Sequence, residues 1–152
     1  MSFFIFVVTF NWQNMKTKIL ALILFSILTF TAKSQELSHY ILELESHTKW
    51  EAVENNWANI RNQWVESCKA ENTPQSCAKL LLQFESNIRW SAVIENWKLR
   101  RTSWVNDCNT ATNNAQVAIL LMELEANIRW EAVDGIWVLR RSGWIAELKT
   151  IK

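Results

Sequence analysis

Glycine and proline are almost missing from this chain: two Gly and one Pro stand in 152 residues. Tight hairpins need residues that tolerate unusual backbone angles, so a sheet protein with many short turns is excluded and helix is favoured before any pattern is read. Histidine is nearly as scarce, with two copies, which removes most base-assisted nucleophile schemes, and no Gly-rich phosphate loop occurs. An excess of positive charge is also lacking. The first 34 residues carry three Lys and no acid, while the remainder carries 13 basic and 15 acidic side chains, a balance near −2. That is the wrong sign for a phosphate-binding surface, and nucleic acid is not expected as a partner.

The N-terminus has the order of an export signal. Met15-Lys16-Thr17-Lys18 precedes an apolar stretch from Ile19 to Phe30, followed by Thr31-Ala32-Lys33-Ser34-Gln35. Small residues at Ala32 and Ser34 fit a cut after Ser34. Residues 1–34 are therefore expected to be a signal peptide whose true start is Met15, and an apolar run near 12 residues is short for a stable span of the membrane. The mature chain, 35–152, is expected to be periplasmic or secreted. The membrane then enters only transiently, through the signal segment.

What is abundant is tryptophan, and its spacing carries the organisation of the chain. An offset of 40 superposes Trp50, Trp90 and Trp130; Trp57, Trp97 and Trp137; and Trp64, Trp104 and Trp144. The same offset aligns Glu45, Glu85 and Glu125; Ala52, Ala92 and Ala132; Val53, Val93 and Val133; and Arg61, Arg101 and Arg141. Seven threefold identities in register define three tandem units, about 36–75, 76–115 and 116–152, within one domain.

Steps of three and four along Trp50, Val53, Trp57, Ile60 or Arg61, and Trp64 form a helical stripe, so the fold class is all-α. Two readings of each unit remain. Glu45–Lys49, Glu85–Arg89 and Glu125–Arg129 keep an acid four residues before a base, as a continuous helix rewards. With no Gly or Pro nearby, that favours three long helices, straight or kinked, roughly 36–69, 76–108 and 115–149, in an up-down-up bundle joined at 70–75 and 109–114. The change of apolar face near 47, 87 and 127 instead favours two helices per unit, a short α-solenoid. The bundle sets Arg61 opposite Glu85 and Arg101 opposite Glu125.

Cys68 and Cys77 flank the first connection and are expected to be bridged, which would constrain the unfolded chain by roughly 2.7 kcal/mol. Cys108 has Ala118 across the second turn and is left over. His39, Glu43 and His47 share a helical face, but about 12 Å of axial rise separates the two His, too far for one ion. No catalytic, cofactor or metal residue is assigned, and the chain is read as a non-enzyme.

Core packing accounts for most of the Trp residues. The remaining functional expectation is a ladder of Trp57, Arg61, Trp64, Trp97, Arg101, Trp104, Trp137, Arg141 and Trp144, facing an unknown protein or an envelope or extracellular ligand. Indole N–H groups seek partners and arginine stacks on indole faces, so Arg61 is expected against Trp57 or Trp64. A homo-oligomeric structural protein is the alternative, and an enzyme of unknown type the third reading.

Overall fold

A computed structural model describes residues 37–70 and 73–152. The signal segment and its cleavage site lie outside the described residues. The described residues are all-helical, with six helices: α1 (described over 37–47), α2 (Trp57–Ala70), α3 (Pro74–Glu85), α4 (Trp97–Thr110), α5 (Asn114–Asn127) and α6 (Gly135–Leu148). Each unit is thus two helices, and the expected long helices are broken where the apolar face changes. The junctions between α2 and α3 and between α4 and α5 fall where the sequence places them. Thr73 caps α3 with Pro74 in its first turn, and Asn113 caps α5 through the amide of Gln116. These side chains satisfy helix donors that would otherwise face outward unpaired.

The break has the same form in every unit. A one-turn 3₁₀ helix (Trp50–Ala52, Trp90–Ala92, Trp130–Ala132) sits between extended residues, Lys49 and Val53 in the first unit, Arg89 and Val93 in the second, Arg129 and Val133 in the third. Two extended segments from adjacent units then pair. Thr48 bridges Val133, Val53 bridges Ile88 and Val93 bridges Ile128. All six bridging residues are β-branched, the side chains that fit extended backbone best. The helical hydrogen bonds lost at the break are replaced between units. Arg89 N–H donates to Ala52 O, Arg129 N–H to Ala92 O and Lys49 N–H to Ala132 O; Glu54, Ile94 and Asp134 N–H donate to Asn87, Asn127 and His47 O.

Those bonds run from unit one to two, from two to three, and from three back to one. The repeat is closed into a pseudo-threefold ring, not left as an open solenoid. Ala52, Ala92 and Ala132 meet at the centre, where residues of all three units line one open cleft of about 150 Å³. Small side chains are what let three backbones approach there.

Packing follows the same symmetry. In α3 and α5 the buried set is equivalent, residue for residue: Cys77, Ala78, Leu80, Leu81, Phe84 and Glu85 against Val117, Ala118, Leu120, Leu121, Leu124 and Glu125. Helices α2, α4 and α6 bury little besides their two Trp residues and Cys68, Cys108 or Leu148. They form the outer layer over α1, α3 and α5. Among the described residues no helix is long and apolar enough to cross a membrane.

Candidate functional site

The Glu, Trp and Arg of the repeat converge within each unit because the break folds the second helix back on the first. Glu45 and Arg61 stand 16 residues apart, as do Glu85 and Arg101, and Glu125 and Arg141. Arg61 donates from Nε and Nη2 to the two oxygens of Glu45 (2.5 and 2.7 Å), and Arg101 does the same to Glu85 (2.7 and 2.8 Å). Arg141 engages Glu125 through Nε (2.5 Å), which leaves Glu125 Oε2 buried and unpaired among the described atoms. The hydrogen bond to its carboxylate raises the pKa of Arg61 and of Arg101 above the ordinary value. The same carboxylates accept the indole N–H of Trp57, Trp97 and Trp137 at 3.0, 3.0 and 3.1 Å. The expected cross-unit pairs, Arg61 with Glu85 and Arg101 with Glu125, are therefore not formed. A straight helix would keep Glu45 and Arg61 about 24 Å apart along its axis, whereas a hairpin brings them together. The acid-base pairs at spacing four are not formed either, since the chain is extended there. Arg89 Nε and Arg129 Nε instead donate to Val53 O and Val93 O, and Lys49 Nζ to Glu131 O.

The Trp residues divide into two sets. Trp57, Trp64, Trp97, Trp104, Trp137 and Trp144 are buried to 1% exposure or less, so the Trp residues of the expected binding ladder are core, while its Arg61, Arg101 and Arg141 stay partly exposed. Within each unit the two rings meet edge to face, at 5.1, 5.2 and 5.2 Å between centroids. Trp64, Trp104 and Trp144 carry their N–H to Leu80 O, Leu120 O and Tyr40 O, each in the next unit around the ring. Trp50, Trp90 and Trp130 are instead 58%, 52% and 55% exposed. The Arg of each unit stacks on this outer ring, with guanidinium carbons 5.8, 5.8 and 5.4 Å from the centroids, rather than on Trp57 or Trp64.

In the first two units the outer indole borders a small open cleft. That beside Trp90 has a volume of about 190 Å³ and is lined by Glu85, Ser86, Ile88, Val93, Trp97 and Arg101. The equivalent beside Trp50 has about 130 Å³, with Glu45, Ser46, Thr48, Val53, Trp57 and Arg61. Sequence reasoning missed this set because Trp50 lies seven residues before Trp57 and joins its stripe on an unbroken helix. The pointer was the pair of β-branched positions flanking each outer Trp.

Other expected features resolve differently. Cys68, Cys77 and Cys108 are all buried and none is in a disulfide. Burial pushes the thiols of Cys68 and Cys108 up to about 12. The trio His39, Glu43 and His47 is dispersed: Glu43 accepts from Arg140, and His47 Nδ1 lies 3.0 Å from Asp134 Oδ2 across the closing seam. Among the described residues no group of His, Cys, Asp or Glu is placed to hold a metal ion.

The second seam is also tied by charge. Arg100 pairs with Glu123 and Asp107, as Arg140 pairs with Glu43 and Glu147 at the third. Ile60 and Gln83 occupy the equivalent positions at the first seam, so that pair is absent there.

Fold and site together define an all-helical protein of tandem helix-break-helix units closed on themselves. The chain belongs to a family described only as a domain of unknown function, DUF8799, whose model matches residues 33–89 and again 76–137. Each match exceeds one unit and takes in the first helix of the next, which is the segment that Trp64 and Trp104 grip. No curated protein and no solved structure matches the chain.

Proposed function

We propose that this protein is an exported, non-enzymatic binding module of the cell envelope or exterior, and that it binds through Trp50, Trp90 and Trp130 with their backing Arg61, Arg101 and Arg141. One observation carries the reading: three large aromatic side chains stay half in water at equivalent positions of a closed ring. Other exposed positions differ among the units. Leu99 and Leu139 correspond to Asn59, and Ile119 to Lys79 and His39, yet the outer Trp is present three times. Leaving an indole half exposed forgoes a large part of the stabilisation that burial gives, and a partner that covers it recovers that part.

The rings are also held in advance. Each begins a 3₁₀ turn whose ends are hydrogen-bonded to neighbouring units, and each is backed by an Arg fixed on a carboxylate. Pre-organisation of this kind reduces the ordering cost of binding. A homo-oligomer is the second reading, supported by exposed Ile136, Val138 and Leu139 on α6, where the first unit has Asn56, Ala58 and Asn59.

The test is sedimentation of the purified protein with isolated envelope material, wild type against the triple variant W50A/W90A/W130A, with urea midpoints to confirm folding. Retention of wild type and loss of the folded variant is the expected result. Equal retention of both, or of neither, rejects the surface. The mature protein recovered from cells is expected to begin at Gln35 by intact mass. Light scattering that shows a dimer undisturbed by the Trp substitutions would favour the α6 face.

A further inference from the structure

We infer that each outer Trp-Arg pair, set in a cleft at Trp50 and Trp90, is a subsite for one ring of a neutral glycan, so that the molecule grips a polysaccharide at three points; this rests on the binding surface proposed above. Size is the first argument. Clefts of about 190 and 130 Å³ fall well below the ~300–1,000 Å³ of sites that enclose a whole small ligand. Each has room for a single ring or side chain of something larger. Equivalent Trp-Arg pairs at three places on one closed ring then call for a ligand that repeats the same group.

Charge is the second argument, because it separates the ligands an indole can receive. Among the described residues, the only charged ones lining the clefts beside Trp50 and Trp90 are Glu45 with Arg61 and Glu85 with Arg101. They are paired with each other bidentately, so neither sign is left in excess. A cation gains little from an indole already carrying a guanidinium on its ring. An anion meets an arginine whose charge is already neutralised. What remains attractive is a neutral ring with C–H faces to lay on the indole and hydroxyls to hydrogen-bond. The cleft walls offer acceptors to the hydroxyls: Ser46 and Thr48 stand by Trp50 and Ser86 by Trp90, and with their own protons donated to Glu43 O, Leu44 O and Gln83 O their oxygens are left to accept from sugar O–H groups. Ala126 and Ile128 replace them at Trp130, which makes the third position the more apolar and weaker one.

Indole N–H signals of the isotope-labelled protein read the test directly, since among the described residues the six buried indoles are hydrogen-bonded and the three outer ones are open to solvent. The probes are hexamers of β-linked glucose and of β-linked N-acetylglucosamine, a sulfated polysaccharide and a proline-rich decapeptide. A neutral hexamer should shift the signals of Trp50, Trp90 and Trp130 and leave those of the six buried rings in place. Affinity for one ring is expected on the order of millimolar, and a long neutral polymer should bind roughly 100-fold more tightly by engaging several clefts. Trp90→Ala should remove one responding signal and weaken polymer binding about tenfold, more than Trp130→Ala does. If no neutral hexamer shifts the outer indoles, the inference fails. If the decapeptide or the sulfated chain shifts them instead, the glycan class is wrong while the binding surface stands, and envelope retention that still depends on the three Trp residues marks that case. Loss of both responses overturns the two readings together.

Discussion

Replacing Arg101 with alanine tests how the units are held, because it strands a carboxylate that has few other partners. Glu85 is 5% exposed, and its oxygens are met by Arg101 and by the indole N–H of Trp97. Removing one member of a fully buried ion pair costs about 3–5 kcal/mol. Arg101 is 34% exposed, so water reaches part of the site and the expected loss falls to about 2–3 kcal/mol. Lys98 on the same helix pairs with Glu95, both largely exposed, and Lys98→Ala should cost under about 0.5 kcal/mol. With a urea slope of about 1–3 kcal/mol per molar for a domain of this size, the Arg101 variant should lose about 1 M in midpoint and the Lys98 variant less than about 0.3 M. Adding Glu85→Gln to Arg101→Ala should recover at least half of the loss, since the amide keeps an acceptor for the Trp97 indole without a stranded charge. Equal losses for Arg101→Ala and Lys98→Ala, or no recovery in the double variant, would refute the reasoning.

The three thiols should resist alkylation in the native state and all react in urea, counted by intact mass; a disulfide-bonded fraction in the purified protein would contradict the buried thiols. Because burial raises Cys68 and Cys108 to about 12 from 9.0, the folded state disfavours thiolate. Stability present below pH 9 should therefore decline between about pH 9 and 12, and Cys68→Ala/Cys108→Ala should flatten that decline. Asp134 behaves oppositely. Burial acts to raise its pKa, but hydrogen bonds from His47 and the Trp137 amide outweigh it and hold the group below its ordinary 3.8. Its contribution is then present above about pH 4 and lost as pH falls through the lower folded value, an acid-limb slope that Asp134→Asn should reduce in pH-dependent melting. Grafting Ile60→Arg with Gln83→Glu should install at the first seam the pair that ties the other two, raising the melting temperature by about 1–4 °C; a fall would mean that Ile60 is worth more there as an apolar side chain.

Sequence alone determined that the chain is helical, that it has three copies of one unit, where the units join and that most of the Trp residues are core, though not which ones, because each of these depends on local pattern. Periodicities of 3.6 and 40 are visible without knowing what touches what. The partners of Glu45, Glu85 and Glu125 were out of reach, since both a bundle and a hairpin offer each acid a base, and only the break decides which. The break itself was weakly signalled. It needs no Gly or Pro, because the backbone groups that leave the helix are satisfied by the next unit: Thr48 by Val133, Val53 by Ile88 and Val93 by Ile128. Those partners lie 35 residues or more away, and a helix-breaking preference supplied from such a distance leaves only the β-branched residues as its local trace. Closure of the ring and exposure of Trp50, Trp90 and Trp130 are decided at the same level. Seven residues separate each outer Trp from a buried one, a spacing that on one helix means a shared face. Only the turn forced between them by inter-unit pairing rotates the outer indole into water.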